Sequence, residues 1–400
     1  MAVRQAAIDP LKYEIEEEVP HRARIKVVGV GGGGANAVAY MMSAGLEGVE
    51  FHVIDTDVQA LAASPVPNKL AIGSKRTSGR GAGGDPEAGR DAALDDTEAI
   101  LEVLQGADMV FITAGLGGGV GTGAAPVIAS HSKQLNAVTV AVVTKPFGLE
   151  GSRPTRQADK GLAALAATVD TVIAVPNDRL LALTARGATV VDAFRMGYDL
   201  LRQTVENIVE LNTTAGLINR DFSNLRAILQ GTGCARMGTA VAKGENAVLE
   251  AARQAINCPL LEETGIRGAH SVLLNVTASS RLGLHELAEA CALIRKAADC
   301  EDVQLSFGLV LKESMADAVK VTVIAAGFPR REASATNGQK MMTEEALLRP
   351  PEPELPAEPL VAASEPPAFA APPLPPPLEP PEPVDNLDVP AYQRQGRLLH

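Results

Sequence analysis

Tryptophan is absent from the 400 residues, and aromatic side chains make up only 3% of them, so any core must be built from Ala, Val, Leu and Ile. No basic run offsets a net charge of −12 and a pI of about 5.1. That balance argues against nucleic acid held by general electrostatics. The four cysteines, Cys234, Cys258, Cys291 and Cys300, show neither a C-x-x-C spacing nor a histidine at metal-ligand distance along the chain. With no secretory signal in view they are read as reduced thiols of a cytoplasmic protein. No stretch approaches the ~20 uninterrupted apolar residues of a membrane span.

What the chain does have is glycine, concentrated where strands end. Met109 to Thr113 is an apolar, β-branched run that reads as a buried strand, and Gly115 to Gly123 follow it into a helical pattern from Ala124 to His131. A bare turn at a helix start lets backbone N–H groups approach an anion, and the helix end adds about half a positive charge. This stretch is expected to cradle phosphate. A turn needed only for close strand-to-helix packing is the competing reading.

A second such turn lies upstream. Arg24 to Val30 reads as a strand, Gly31 to Asn36 as a loop, Ala37 to Ala44 as a helix and Val49 to Asp55 as a second strand, forming a βαβ unit. Gly29, Gly31 and Gly34 fit the dinucleotide fingerprint, with Asp55 placed as a ribose acid about 20 residues on. A nicotinamide-dependent oxidoreductase is therefore one alternative. Against it, one dinucleotide needs one pyrophosphate cradle, whereas two cradles in one sheet suit a triphosphate gripped from both sides. A third glycine-rich loop, Thr77 to Glu87, leads into a helical pattern reaching Leu104, with Asp85 as cap and Pro86 in the first turn.

Strands at Val138 to Thr144 and Thr171 to Val175 flank a helix ending near Thr168, and the alternation predicts a mostly parallel sheet covered on both faces. Val190 to Asn212 is one long amphipathic period, about 30 to 35 Å as a helix. Beyond it, Ala227 to Ala242 reads as a strand, Gly244 to Ile256 as a helix, and further strands and a helix from Val272 to Ala325 complete a smaller α+β domain. The fold class is thus α/β: a Rossmann-like nucleotide domain (25–212, the long helix included), a second domain (213–330) and disordered ends. Residues 1–24 read as an acidic arm, 331–384 as a Pro-rich acidic spacer that buries no core, and 385–400 as a peptide in which apolar anchors return among charges.

Gly31 to Asn36, Thr56-Asp57, Gly81 to Gly83, Gly117 to Gly123, Lys145 to Phe147, Pro176 to Asp178, Asp192 to Phe194, and Asn219 with Asp221, taken together, make a specific set. By them the chain resembles the FtsZ family of bacterial cell-division GTPases, in the tubulin superfamily. The resemblance implies GTP as ligand and substrate, Mg²⁺ on its phosphates, self-assembly into head-to-tail filaments, and a place at the mid-cell division ring. Matched position by position, Gly32, Gly33, Gly34, Ala35 and Asn36, with Gly118, Gly119, Val120, Gly121 and Thr122, fall on the phosphate and ribose contacts. Glu150 falls on the ribose, Phe194 on the base as a stacking ring, and Asn177 and Asp199 on the guanine edge.

Asp221, with Asn219 and position 224, belongs to hydrolysis in that family, where it meets the nucleotide of the next subunit. Phe194 and Asp199 sit near the start of the long helix and Asp221 beyond its far end, roughly 30 Å away, too far to reach its own nucleotide. The residues Asp385 to Arg394 resemble a peptide that docks on membrane tethers and division regulators, with Gln393 in place of an apolar residue. Other departures bear on turnover. Asn224 stands where the family has a second acid, Val120 where it has Thr, Pro154 where it has Arg, and Asp55 where it has Asn. Slow hydrolysis is the expectation, and a GTP-binding structural polymer with negligible hydrolysis the further alternative.

Overall fold

The computed structural model describes residues 23–181, 187, 189–213, 222–258, 261, 265–300 and 302–328, all within the unit that ends at Ala333. Its first half alternates as the pattern predicts. The strands are β1 (Ile25–Val30), β2 (Glu50–Asp55), β3 (Asn68–Ala71), β4 (Met109–Gly115), β5 (Val138–Lys145) and β6 (Thr171–Pro176). Between them run α1 (Gly31–Ser43), α2 (Val58–Ala63), α3 (Ser74–Thr77), α4 (Pro86–Asp95), α5 (Thr97–Leu104), α6 (Val120–Gln134) and α7 (Ser152–Thr168). After β6 come α8 (Asn177–Leu181), the long α9 (Val190–Thr213) and α10 (Phe222–Leu229). The second half is β7 (Gly233–Lys243), α11 (Ala247–Ile256), β8 (Ser271–Ala278), α12 (Leu284–Ala298), β9 (Gln304–Leu311) and β10 (Ala318–Ala326).

The strands join into one sheet in the order β3-β2-β1-β4-β5-β6-β7-β10-β8-β9. From β3 to β7 every pairing is parallel; β10 runs antiparallel to both β7 and β8. Side chains of successive strand residues point to opposite faces, so the central strands feed two cores. Val27, Phe111 and Val140 pack under α1 and α9 with Val38, Met41, Leu201, Val205 and Ile208. Their neighbours Val28, Ile112 and Ala141 pack on the other face with Ile100, Ile128 and Leu165. Aliphatic and alanine side chains fill both cores, as the shortage of aromatics requires. A third cluster, including Val248, Ala251, Leu274, Ile294, Val321 and Val323, fills the second half.

Several boundaries differ from the sequence reading. The glycines read as loops are helix: α1 starts at Gly31 instead of Ala37, and α6 at Val120 instead of Ala124. The pattern ending at Leu104 is two helices that break at Asp96, whose carboxylate accepts a bond from the Gly73 N–H at 2.6 Å. The strand expected over residues 227–242 divides into the end of α10 and β7, with Gly231 between them at φ 71° and Gly233 opening β7 at φ 69°. The edge strand β3 has no apolar alternation to announce it.

Candidate functional site

The order β3-β2-β1-β4-β5-β6 reverses direction between β1 and β4, and in such sheets ligands bind outside the carboxyl ends of the strands at that point. Val30 pairs with Ala114 across this junction, so the turn after β1 and the turn after β4 open side by side. Between them lies a cavity of about 190 Å³ lined by Gly31, Gly32, Gly33, Gly118, Gly119 and Gly121, among others.

The glycines divide by their surroundings. A Cβ on Gly34 would stand 2.3 Å from the Thr113 carbonyl oxygen, and one on Gly121 2.4 Å from that of Gly115. Those two serve close packing. Gly32 and Gly118, by contrast, have nothing within 4 Å of that position. Their bare backbone faces the cavity.

Helices α1 and α6 both begin at this cavity, and neither has a side-chain cap or an acidic residue in its first turn. Helices α2 and α4 are capped by Asp57 and Asp85, while α3, α5, α7, α11 and α12 also lack a side-chain cap, so what sets α1 and α6 apart is that both open on one cavity. An uncapped helix leaves N–H groups without a partner, and two such ends aimed at one space make it a site for an anion with several charged oxygens. The Thr122 hydroxyl is committed to the turn itself, accepting from the Gly117 N–H at 2.8 Å. Val120 lines the cavity with an apolar side chain that also joins the core. Ala35 points into the other core, and Asn36 is exposed on α1.

A second cavity of about 200 Å³ shares Gly33, Gly115 and Gly118 with the first and extends the groove towards α9. Its far wall is Glu150, Asn177, Phe194 and Tyr198. The Glu150 carboxylate accepts from the Phe147 N–H at 2.8 Å, which fixes the turn after β5. Asn177 is 7% exposed at the start of α8, where β6 ends. Phe194 is 39% exposed and meets Phe147 edge to face, with ring centroids 5.5 Å apart.

The structure does not bring Asp199 to this wall. Its Oδ1 accepts from Arg202 Nε at 2.9 Å and from the Tyr40 hydroxyl at 3.4 Å, and its Oδ2 from Gln203 Nε2 at 2.7 Å. Tyr198 is the wall residue that sequence reasoning missed. The signal for it was its spacing four residues after Phe194, which stacks the two on one helix face. Asp55 is likewise turned inward, 4% exposed, with Oδ1 accepting from the N–H groups of Thr56 and Asp57. Burial raises its carboxyl above the ordinary range, which suits a held turn and not a ribose acid. Asn219 and Asp221 lie outside the described residues, and position 224 falls on α10.

Residues 24–185 match the family model described as Tubulin/FtsZ family, GTPase domain, and residues 233–329 match FtsZ family, C-terminal domain. An empty FtsZ dimer of M. jannaschii is 38% identical, with a TM-score of 0.71 over 76% of this chain and 88% of that one. This chain belongs to the Tubulin/FtsZ family. It therefore carries a GTPase domain, and the oxidoreductase alternative falls with its ribose acid. A point mutant of the M. jannaschii FtsZ matches at 38% identity and a TM-score of 0.71, covering 77% of this chain and 92% of that one. CetZ2 from Haloferax volcanii, as a GTPγS-bound protofilament, shares the fold at 23% identity and a TM-score of 0.65, over 77% and 94%.

Proposed function

We propose that this chain is a GTP-dependent polymerising cell-division protein whose subunits stack head to tail and complete the hydrolytic site between them. The observation that carries the reading is the convergence of two uncapped helix ends on Gly32 and Gly118, whose backbones face open space. Gly32 to Asn36 and Gly118 to Thr122 form the phosphate side, Glu150 holds the ribose, and Phe194 and Asn177 meet the base. Mg²⁺ fits here as an ion held largely by phosphate oxygens and water, where it neutralises charge on the phosphates.

The nucleotide rim favours self-association. Leu149, Val190 and Val191 are 81%, 72% and 63% exposed; Leu149 precedes Glu150 in the chain, and Val190 and Val191 precede Phe194 on α9. Apolar side chains left in solvent next to site residues supply a contact surface. In the stack, Asp221 with Asn219 and Asn224 of one subunit meets the γ-phosphate bound by the next and orients the attacking water. A contact of two different surfaces does not close, so it propagates as a filament.

Hydrolysis is slow in this reading. Asn224 carries no charge, Val120 is packed into the core where a hydroxyl is usual, and Pro154 replaces an arginine. A structural polymer that binds GTP without meaningful turnover is the limiting form of the same idea. The cytoplasmic division ring is the proposed place of action, with Asp385 to Arg394 docking on membrane tethers and regulators. Among the described residues no helix is long and apolar enough to cross a membrane. Sedimentation with GTP against GDP, run alongside phosphate release, tests the proposal. Polymer pelleting with GTP only, with phosphate release that rises with protein concentration, is the expected result; equal turnover per molecule at all dilutions rejects it.

A further inference from the structure

We propose that Tyr198, and not a carboxylate, reads the purine edge in this chain, so that guanine and hypoxanthine nucleotides bind nearly alike. The inference rests on the nucleotide-site reading above and specifies its selectivity. Helical geometry carries the first step. With about 100° per residue, Tyr198 lies about 40° around α9 from Phe194, whereas Asp199 lies about 140° away. Phe194, Gly197 and Tyr198 accordingly share the cavity wall, and Asp199 faces elsewhere.

The second step is that Asp199 is engaged away from the cavity, on its own helix and on α1. Three donors converge on it, from Arg202, Gln203 and Tyr40, and two of them are neighbours on its own helix. Tyr198 is held by rings instead. Its centroid is 6.5 Å from Phe194 at an interplanar angle of 28° and 6.4 Å from Tyr40 at 41°. Tyr40 thus links the two residues, stacking near one and donating to the other. Asp199 acts as a positioning residue that fixes Tyr40, which braces Tyr198. Asn177 faces them from α8, its Oδ1 3.8 Å from where a Cβ on Gly197 would stand. The absent side chain of Gly197 keeps that corner of the cavity open.

The chemistry of the two groups differs. Guanine offers N1–H and the 2-amino group as adjacent donors, and a carboxylate accepts both, whereas a phenol oxygen accepts from one and can donate from its hydroxyl. Hypoxanthine keeps N1–H and lacks only the 2-amino group. A site with a phenol beside the Asn177 amide, and no carboxylate to accept N1–H and the 2-amino group as a pair, therefore has little grip on the difference.

The test is competition by GTP, ITP and ATP against a fluorescent guanine nucleotide on the full-length protein, with circular dichroism to verify folding. In wild type GTP and ITP are expected to compete within about threefold of one another. Tyr198→Phe keeps the ring and loses the hydroxyl, so both weaken by about fivefold with their ratio unchanged. Tyr198→Asp supplies paired acceptors and shifts preference towards GTP by about tenfold or more. A wild-type preference for GTP above about thirtyfold, or unchanged affinity in Tyr198→Phe, overturns the proposal while leaving the nucleotide site intact. Failure of all three nucleotides to compete overturns the site reading itself, and this one with it.

Discussion

A Cβ placed on Gly31 would stand 2.9 Å from the backbone nitrogen of Gly121, which fixes how closely the turn after β1 approaches the turn into α6. That distance is below any that real Cβ atoms sustain, and the obstacle is backbone. Gly121→Ala meets the Gly115 carbonyl oxygen at 2.4 Å, so it is expected to cost about 3 kcal/mol or more by forcing β4 from α6. Gly32→Ala meets nothing within 4 Å and keeps its thermal stability, yet its methyl enters the phosphate cavity and weakens nucleotide by about tenfold. Thermal melts and nucleotide titrations on the two variants separate packing from binding. Loss of stability in Gly32→Ala refutes the division.

Turnover is predicted to respond to charge at position 224. Asn224→Asp is expected to raise phosphate release by about tenfold, short of the roughly 100-fold or more of a fully positioned acid or base, without altering GTP affinity. Val120→Thr adds a hydroxyl at the cavity but places it where Val120 is only 8% exposed, so its gain is offset by lost packing. Equal rates for wild type and Asn224→Asp remove the slow-hydrolysis idea.

Assembly and nucleotide binding are separable at the rim. Leu149, at 81% exposed, contributes little to the fold. Leu149→Glu is expected to keep GTP affinity within about twofold and to raise the critical concentration for pelleting by about tenfold, the effect of losing one central apolar anchor. Pelleting at the wild-type concentration shows that the rim is not the contact.

How much of this was legible beforehand follows from what each signal measures. Val27 to Val30 and Met109 to Thr113 announce buried parallel strands because both their faces are covered, and the apolar period of α9 fixes its length nearly to the residue. Glycine content, in contrast, does not say where a helix starts: Gly31 to Gly34 are poor helix formers, and tertiary packing against Thr113, Gly115 and Gly121 winds them into the first turn of α1. The orientation of Asp199 was hidden for a similar reason. The phase of α9 is set by Leu201, Val205 and Ile208 entering the core, and only that phase decides whether Tyr198 or Asp199 meets the cavity.

Asp55 gives the pH prediction. Burial is the largest influence on its carboxyl and raises it, against the lowering effect of the Thr56 and Asp57 N–H groups. An acid that holds its proton more tightly folded than unfolded favours folding at low pH, and that contribution is lost as pH rises through the raised folded value. Above that raised value the chain carries a charged group at a site 4% exposed. Asp55→Asn keeps an oxygen that accepts from both amides and removes the charge. Its melting temperature is expected to exceed wild type by about 1 to 2 °C where the wild-type carboxyl is ionised, the shift for roughly 1 kcal/mol in a folded unit above about 250 residues. The difference should shrink as pH falls towards the range where the wild-type carboxyl is protonated, because both chains are then neutral at this position. A difference that grows in acid, or a less stable Asp55→Asn where the wild-type carboxyl is ionised, means that the Asp55 charge is favourable where it stands and that the two N–H bonds outweigh its burial.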